Sequence, residues 1–398
     1  MAKKGKTKKI SKDLYYVGVR DPELRKFDVV MYTTYGTSYN AYLVAGKEKT
    51  ALVDTVREGF FEEYLSKLES QTDLEEIDYI VLSHAEPDHT GVLAELMDIC
   101  PDAQIVCTQQ TSEMVRSICH EEYDYKIVQD GDELDLGGKT LQFITAPGLH
   151  WPDMMLTYLP EEETLFSGDV FGCHFDAEDV FDDWVLDMLD ELQRYYFEVL
   201  MNPYRSRVLE LLEKLEDLKI RVICPTHGPI LRKSADKAVK RYADWSHVSL
   251  EVNEVKRAFI GYVSCYGYTK RIAQEIAAGC EKEGLQADVV DFSEKTLEQA
   301  FALSSRADVV AVGSPTVNAD VMTPVWHFLV GLSQFECKKK PAAVFGSYGW
   351  SGEATEYITQ RLKNMGLDVI GVCSVKLCPD EEALNEAFAL GEELARRL

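Results

Sequence analysis

Short apolar runs separated by polar segments recur through the first 230 or so residues of the chain. The runs are YNAYLVAG, TALVDT, IDYIVLSH, AQIVC, LQFITAP, MMLTYL, TLFSGDV and RVICPTH. Their length and their content of β-branched and aromatic residues are typical of buried strands. Helical stretches or tight turns such as LGGKT separate them, and a helix-rich insert runs from about 184 to 218. The mixture predicts layers of helix and sheet in which several strands pair antiparallel.

From Arg257 onward the pattern becomes regular. The apolar runs RAFIGYV, QADVVDF, ADVVAVG, PAAVFG and DVIGVCS alternate with helical segments at about 270–283, 295–304, 323–333, 353–365 and 380–397. This alternation predicts a doubly wound, five-stranded parallel sheet that binds its ligand at the carboxyl ends of the strands. The change of pattern predicts two domains, residues 1–250 and 251–398.

Composition narrows the classes of function. With 398 residues, 46% apolar and 28% charged, the chain is globular and long enough for two cores. A formal net charge of −26 argues against nucleic acid or an anionic membrane as a partner, because phosphate contacts need clustered Lys and Arg. The sequence has no apolar run long enough to span a membrane. The basic start, MAKKGKTKKISK, is expected to be a solvated terminus.

The ten cysteines are scattered, and none forms a Cys-x-x-Cys pair. This spacing excludes rubredoxin and zinc-ribbon patterns. Because the start of the chain does not resemble a secretory signal, we expect free thiols in a reducing cytoplasm.

Metal-binding residue types stand at the ends of the predicted strands in the first half. The candidates are His84, Glu86, Asp88, His89, His150, Asp169 and His227. A single histidine at a strand end is usually a satisfied polar residue, but seven such groups favour a metal centre. Four histidines and three carboxylates divide into two sites with nitrogen and oxygen donors, and one carboxylate can bridge them.

The order of these residues resembles the metallo-β-lactamase-like domain of flavodiiron proteins, also called A-type flavoproteins. His-x-Glu-x-Asp-His in SHAEPDHTGVL is followed by single His, Asp and His residues, and the resemblance extends to YGTSYNAYLV and to the second half. It implies an α/β fold with an N-terminal αββα metallo-β-lactamase-like domain, followed by a flavodoxin-like domain. It also implies one iron held by His84, Glu86 and His150. A second iron would be held by Asp88, His89 and His227, with Asp169 bridging.

Glu86 stands where zinc hydrolases of similar pattern place a histidine. A carboxylate there adds negative charge and a hard oxygen donor, which favours iron or manganese and stabilises the ferric state. Because zinc also accepts carboxylates, a dinuclear-metal hydrolase with a passive flavodoxin-like module is the alternative.

Three further residues are candidates for the surroundings of the metals. His174, in FGCHF, either donates a hydrogen bond near the ligands, lines the substrate pocket, or is an ordinary surface or core histidine. Tyr195 or Tyr196, in QRYYFEVL, either points at the pocket or belongs to the core. The remaining histidines are expected to be structural, namely His120, His247 and His327.

Three loops of the second half predict a flavin site. SCYGYT follows the first strand and precedes a helix, whose N-terminal N–H groups and dipole favour a phosphate. SPTVN and SYGWSG follow the third and fourth strands, where a flavodoxin-like domain holds the isoalloxazine ring, and Trp350 or Tyr348 is placed to pack against it. A single phosphate site without GxGxxG predicts FMN rather than FAD or NAD; the alternative is ordinary Gly/Ser turns. The predicted contacts are Ser264, Cys265, Tyr266, Gly267, Tyr268, Thr269, Pro315, Thr316, Val317, Asn318, Ser347, Tyr348, Gly349, Trp350, Ser351 and Gly352.

A diiron centre and FMN together hold the four electrons that reduction of O2 to water requires, and two electrons convert two NO to N2O. The resemblance therefore implies a cytoplasmic O2 and/or NO reductase, and we favour O2. It further implies a head-to-tail homodimer or dimer of dimers, which brings the flavin of one subunit to the metals of the other. The expected electron donor is external, either a rubredoxin-like protein or reduced coenzyme F420.

Overall fold

The structure is a computed structural model that describes residues 7–27, 31–176, 179–247, 255–332, 337 and 339–398. The chain divides into two compact units, Met1–Ser246 and His247–Leu398. The predicted domain boundary, between residues 250 and 251, lies outside the described residues. Within the described residues, no helix is long and apolar enough to cross a membrane.

The first unit consists of two main sheets, a pair of two-stranded sheets, and helices. Its strands are β1 (Lys8–Ser11), β2 (Leu14–Tyr16), β3 (Val19–Asp21), β4 (Lys26–Phe27), β5 (Met31–Tyr32), β6 (Thr37–Tyr39), β7 (Tyr42–Ala45), β8 (Thr50–Val53), β9 (Tyr79–Val81), β10 (Gln104–Cys107), β11 (Tyr125–Ile127), β12 (Glu133–Asp135), β13 (Thr140–Thr145), β14 (Met155–Leu159), β15 (Thr164–Gly168) and β16 (Val222–Pro225). Its helices are α1 (Phe61–Glu69), α2 (Pro87–Thr90), α3 (Leu93–Ile99), α4 (Gln109–Cys119), α5 (Leu186–Tyr196), α6 (Arg205–Leu215) and α7 (Ala235–His247). A π-helical turn, Phe197–Met201, follows α5.

The larger sheet has the order β1-β2-β7-β8-β9-β10-β11 and the smaller has the order β12-β13-β14-β15-β16. The two-stranded sheets are β3-β6 and β4-β5. In the larger sheet, β1, β2, β7 and β8 pair antiparallel, as predicted. In the smaller sheet, β12 to β15 pair antiparallel and β15 pairs with β16 in parallel. The basic start was expected to be solvated, but it enters β1 from Lys8 because that strand pairs with β2. Residues 1–6 lie outside the described part of the chain.

Alternating side chains along each strand produce four layers. In β8, Val53 belongs to the buried cluster that includes Phe143 of the smaller sheet, so the two sheets face each other. Its neighbour Leu52 belongs to the cluster that includes Leu68 of α1. Leu211 of α6 lies in this second cluster as well, together with residues of the smaller sheet. The αββα arrangement implied by the resemblance is confirmed.

The second unit has one main sheet. Its strands are β17 (Arg257–Tyr262), β18 (Gln286–Asp291), β19 (Val309–Val317), β20 (Asp320–Val321), β21 (Pro341–Tyr348) and β22 (Asp368–Lys376). Its helices are α8 (Tyr268–Lys282), α9 (Leu297–Ser305), α10 (Thr323–Gly331), α11 (Glu353–Asn364) and α12 (Glu381–Ala395). The order β18-β17-β19-β21-β22 is all parallel, and β20 adds an antiparallel pair to β19. This confirms the predicted doubly wound, five-stranded parallel sheet.

Candidate functional site

The segment from Ser83 to Thr90 carries four of the seven metal candidates, and it follows β9 and includes α2. Its start is held by Asp54, at the end of β8, whose carboxylate accepts hydrogen bonds from the Ser83 N–H and hydroxyl, both 2.7 Å long. Its end is held by Thr55, whose hydroxyl donates to the carbonyl of His89 at 2.5 Å. Two consecutive residues of one strand end therefore fix both ends of the ligand loop.

The other three candidates come from the smaller sheet. His150 lies in the connection between β13 and β14 with a φ of 67°, in the left-handed region. Asp169 follows β15, and His227 follows the neighbouring parallel strand β16. Because parallel strands end at the same edge, Asp169 and His227 lie side by side.

Four of the seven side chains form a first group, in which the possible ligand atoms all lie within 4.8 Å of one another: His84, Glu86, His150 and Asp169. Glu86 Oε2 lies 3.2 Å from Nε2 of His84 and 2.9 Å from Nε2 of His150. Asp169 Oδ2 lies 3.2 Å from the same His150 nitrogen. Both carboxylates thus face the same pair of imidazoles.

Asp88, His89 and His227 form the second group, within the same 4.8 Å limit. His227 Nε2 lies 3.1 Å from Asp88 Oδ2, and His89 Nε2 lies 3.4 Å from Asp88 Oδ1. Asp169 Oδ1 lies 3.1 Å from His89 Nε2. One oxygen of Asp169 therefore faces each group, which is the arrangement that a bridging carboxylate requires.

Ionisation of the cluster is strongly coupled. Burial opposes the charge on His150, but hydrogen bonds to Asp169 and Glu86 outweigh it and raise the pKa of His150 to about 10. Burial likewise opposes the charge on His227, whose pKa is raised to about 9 by the nearby Asp169 and Asp88. The pKa of Glu86 is lowered by His150 and His84 despite burial, and the pKa of Asp169 is lowered by His227 and His150 despite burial. Without metals, the cluster is held together by proton-bearing imidazoles and ionised carboxylates.

The donor set fits a pair of divalent metals. Both oxygens of Asp88 and the Nε2 atom of His227 are buried, and their close polar contacts are with one another and with other candidate ligands. The Nδ1–H of His227 donates to the Ser38 carbonyl at 2.8 Å, so Nε2 is the atom that would bind a metal in place of its proton. Three carboxylates offset most of the charge of two divalent cations, and the mixture of oxygen and nitrogen donors suits iron. That these residues ligate iron stays a prediction.

Of the predicted neighbours of the metals, His174 and Tyr196 lie beside the cluster. The His174 ring centroid lies 4.8 Å from that of His227 and 5.2 Å from that of Tyr196. Burial and the charge of His227 lower the pKa of His174 well below its usual range, so this imidazole is neutral. Tyr195 is 39% exposed, and its hydroxyl accepts a hydrogen bond from the Tyr32 N–H. The structure therefore brings only Tyr196 of the tyrosine pair to the cluster.

A cavity of about 560 Å³ adjoins the metal cluster. Glu86 and Asp88 line one part of it, and Lys26, Phe27 and Arg57 line another. The Phe27 ring packs against the rings of His174 and His227, with centroid distances of 4.4 and 5.4 Å. The cavity gives the cluster a route to solvent, and its exposed charged residues are of both signs: Lys26, Arg57 and Glu58.

Sequence reasoning missed Asp54, Phe27 and Thr226, whose hydroxyl donates a hydrogen bond to Asp169 Oδ1. Asp54 ends one predicted strand, and Thr226 immediately precedes His227. Both therefore stand at the end of a predicted strand, as the candidate ligands do. No sequence pattern pointed to Phe27, because its only link to the cluster is the packing of its ring against His174 and His227. The histidines expected to be structural, His120, His247 and His327, are exposed and belong to neither ligand group.

The three predicted flavin loops lie at one edge of the second unit's sheet. Tyr262 of β17 pairs with Gly313 of β19, and Pro315 pairs with Ser347 of β21, so the strands end together. The hydroxyls of Thr269 and Ser347 are 2.9 Å apart and link the first loop to the fourth strand.

The first flavin loop offers an open cradle for a phosphate. Gly267 has a φ of 82° at the start of α8, and a Cβ atom built on it would meet no heavy atom within 4 Å. The first N–H groups of α8 follow Gly267, and the Ser264 hydroxyl before it accepts a hydrogen bond from the Lys270 N–H at 3.3 Å. A phosphate monoester fits this cradle, in agreement with FMN.

Two aromatic side chains of these loops project into solvent. Trp350 is 99% exposed and Tyr266 is 86% exposed, whereas Tyr348 is half-buried. Val317, in the loop after β19, is also largely exposed. Apolar side chains left uncovered at the edge where a flavodoxin-like sheet binds its ligand favour a planar aromatic ligand. The individual flavin contacts stay predictions.

Comparisons with known families match both units. Residues 37–228 match the family described as ODP family beta lactamase, and residues 260–391 match the flavodoxin family. These two matches correspond to the units that contain the metal candidates and the flavin loops.

Several relatives match nearly the whole chain. The chain is 36% identical to the flavo-diiron protein FprA2 of Clostridium acetobutylicum, over 98% of this chain and 99% of that protein. It is also 36% identical to a nitric oxide reductase of Moorella thermoacetica, over 98% of each chain. Among solved structures, the rubredoxin oxygen:oxidoreductase of Desulfovibrio gigas matches 98% of both chains at 31% identity, with a TM-score of 0.69. The chain therefore belongs to the flavodiiron protein family, whose cofactors, FMN and two non-haem irons, fit the two sites described above.

Proposed function

We propose that this chain is an oxidoreductase that reduces O2 to water, with NO as an alternative or additional substrate that is converted to N2O. The observation that carries the proposal is the position of Asp169, with one carboxylate oxygen facing each group of buried ligands. Relatives whose names specify nitric oxide reductase and rubredoxin oxygen:oxidoreductase support both gases.

The protein's part in this chemistry is to hold two metals close together in a buried site. His84, Glu86 and His150 would hold one, and Asp88, His89 and His227 the other, with Asp169 shared. When bound, two irons supply two electrons by cycling between ferrous and ferric states, and FMN supplies two more. Three carboxylates among the ligands stabilise the higher oxidation state, which an all-imidazole site does not do as well.

The cavity beside Glu86 and Asp88 provides access for a small gas and for protons. Reduction of O2 to two waters consumes four protons, and conversion of two NO to N2O and water consumes two. Phe27 lines this cavity and packs against His174 and His227, so it shields both rings from bulk water. His174 is neutral, which leaves its buried Nε2 atom available to a bound substrate.

Electrons would enter through FMN, held by the loops after β17, β19 and β21. A rubredoxin-like protein or reduced coenzyme F420 would be the external donor. We further propose a head-to-tail homodimer or a dimer of dimers, so that the flavin of one subunit serves the metals of its partner. None of the ten cysteines forms a disulfide in the described part of the chain, which is consistent with a reducing cytoplasm as the location.

The decisive experiment starts with protein purified without oxygen. Iron, zinc and FMN are quantified per chain, and the fully reduced protein is then mixed separately with O2 and with NO while gas consumption and products are counted. We expect two irons and one FMN per chain, and multiple turnovers with at least one gas. Bound zinc without gas turnover would instead support the hydrolase, and FMN without metal would support an electron carrier.

The dimer has its own test. Analytical ultracentrifugation gives the oligomeric state under the conditions of the activity assay. A monomer with full activity would refute the head-to-tail arrangement and leave the proposed reaction standing.

A further inference from the structure

The bridging position of Asp169 is supported by a hydrogen bond from a neighbouring strand end. Thr226 Oγ1 donates to Asp169 Oδ1, the oxygen that faces His89 and His227. Thr226 is 1% exposed, so this contact is buried.

The backbone of Thr226 is fixed on both sides. Its N–H donates to the Gly168 carbonyl at 2.9 Å, and its carbonyl accepts from the Asn40 N–H at 2.8 Å. The Asn40 side-chain amide also donates to the carbonyls of Pro225 and Gly228, each at 2.8 Å. The backbone of Thr226 is therefore held between Gly168 and Asn40, which keeps its hydroxyl within hydrogen-bond reach of Asp169.

This hydrogen bond occupies one lone pair of Asp169 Oδ1. Asp169 Oδ1 has roughly two lone-pair directions. The Thr226 hydroxyl takes one and leaves the other for the metal of the second group. A hydrogen bond to a ligating oxygen withdraws electron density from it and weakens its donation to the metal. Weaker donation favours the ferrous over the ferric state.

We propose that Thr226 is a positioning residue that orients the bridging carboxylate of Asp169 and raises the reduction potential of the metal pair. The inference rests on the proposed function, because it requires two redox-active irons. It assigns a role to a side chain that does not ligate metal itself.

The test compares Thr226→Val with Thr226→Ser. Valine has nearly the shape of threonine and lacks the hydroxyl, whereas serine keeps the hydroxyl and lacks the methyl group. The reduction potential of the metal pair is measured by redox titration monitored by electron paramagnetic resonance. The FMN potential of the same chain is the internal reference.

Thr157→Val is the matched control for loss of a buried threonine hydroxyl. Thr157 is fully buried in β14, and its hydroxyl has no hydrogen-bond partner within the described residues. We expect a more negative metal potential in Thr226→Val, values equal to the unmodified protein in Thr226→Ser and Thr157→Val, and an unchanged FMN potential throughout.

Two results would overturn this inference and leave the proposed function standing. One is an unchanged metal potential in a Thr226→Val protein that holds two irons, and the other is an equal shift in Thr226→Ser. If Thr226→Val fails to hold iron, Thr226→Cys replaces it, because a thiol is a weaker donor of similar size. Its potential must then lie below that of the unmodified protein. Absence of iron from the unmodified protein would instead refute the proposed function, and this inference with it.

Discussion

The carboxylate of Asp54 accepts two hydrogen bonds from Ser83, one from its backbone N–H and one from its hydroxyl, each 2.7 Å long. Both residues are buried, and Ser83 opens the loop that carries His84. We expect Asp54→Ala to lower the free energy of unfolding by about 3 to 5 kcal/mol, because hydrogen bonds to a buried charged group are lost. Urea unfolding of the protein measures this change.

Two companion variants make the Asp54 result specific. Asp54→Asn keeps one acceptor oxygen and is expected to lose less stability and less iron than Asp54→Ala. Asp102→Asn, at an exposed turn, is expected to change neither. Full iron content in Asp54→Ala would show that Ser83 does not depend on this carboxylate.

Replacement of Glu86 by histidine is expected to move the site from iron toward zinc. The Glu86 carboxylate contacts Nε2 of both His84 and His150, and its loss removes one negative charge and one oxygen donor. We expect zinc to rise in elemental analysis and gas turnover to fall by about 100-fold or more.

The matched control for this change is Glu58→His. Glu58 lines the same cavity but belongs to neither ligand group. Full reductase activity with bound iron in Glu86→His would refute the account of this residue.

Removal of the metals is expected to reverse the pH dependence of stability near neutral pH. In the metal-free protein the pKa values of His150 and His227 are about 10 and about 9, above the ordinary 6.5. Their protonated forms stabilise the fold fully below about pH 6.5, and this contribution is lost as the pH rises through about 9 to 10. Bound metals compete with the same protons, so metal affinity rises over that interval.

Urea unfolding of metal-free and metal-loaded protein between about pH 6 and pH 10 measures both trends. The two stability curves are expected to diverge as the pH rises. Parallel curves would contradict the coupling of these imidazoles to metal binding.

The phosphate cradle is tested by Gly267→Ala. The left-handed backbone at Gly267 costs about 1 to 2 kcal/mol for alanine, and the new methyl group enters the space proposed for the phosphate. We expect FMN affinity to fall about tenfold or more, as measured by quenching of flavin fluorescence.

Gly284→Ala is its matched control, because Gly284 has a φ of 92° and equally open surroundings. Its backbone strain is the same, but it follows the far end of α8. An equal loss of FMN affinity in both variants would mean that strain, and not occupancy of the cradle, is responsible.

Tyr196→Phe is expected to lower gas turnover without changing stability. The Tyr196 hydroxyl is buried beside His174 and has no hydrogen-bond partner within the described residues, so its removal breaks no bond. We expect unchanged iron content and unfolding free energy, and a fall in turnover of up to about tenfold because one donor to the substrate is lost. Tyr195→Phe should alter neither iron content nor turnover, and it costs stability because the Tyr32 N–H loses its acceptor. Lost stability with full turnover in Tyr196→Phe would assign the Tyr196 hydroxyl a structural role.

Most of the fold was predictable because strand alternation and helical periodicity are local properties of the sequence. The candidate ligands were predictable for a related reason, since each stands at or just after a strand end. The distinction between Tyr195 and Tyr196 was not predictable. The two residues end α5 next to the π-helical turn Phe197–Met201, where a rotation of one residue decides which ring is buried.

Contacts between distant segments were also beyond sequence reasoning. Asp54 and Ser83 are separated by 29 positions, and Asp169 and Thr226 by 57. Hydrogen bonds of this range depend on how neighbouring strands are placed in a sheet. No spacing rule within a single segment specifies them.

The parallel pairing of β15 with β16 has a consequence for metal selection. Asp169 and His227 leave adjacent strands, whose backbones lie about 4.8 Å apart in any sheet. Backbone hydrogen bonding thus sets the lateral spacing of these two side chains before any cation binds. The spacing is the same for ions of slightly different radius. Selection among these ions therefore depends on ligand charge and on which metal the cell supplies during folding.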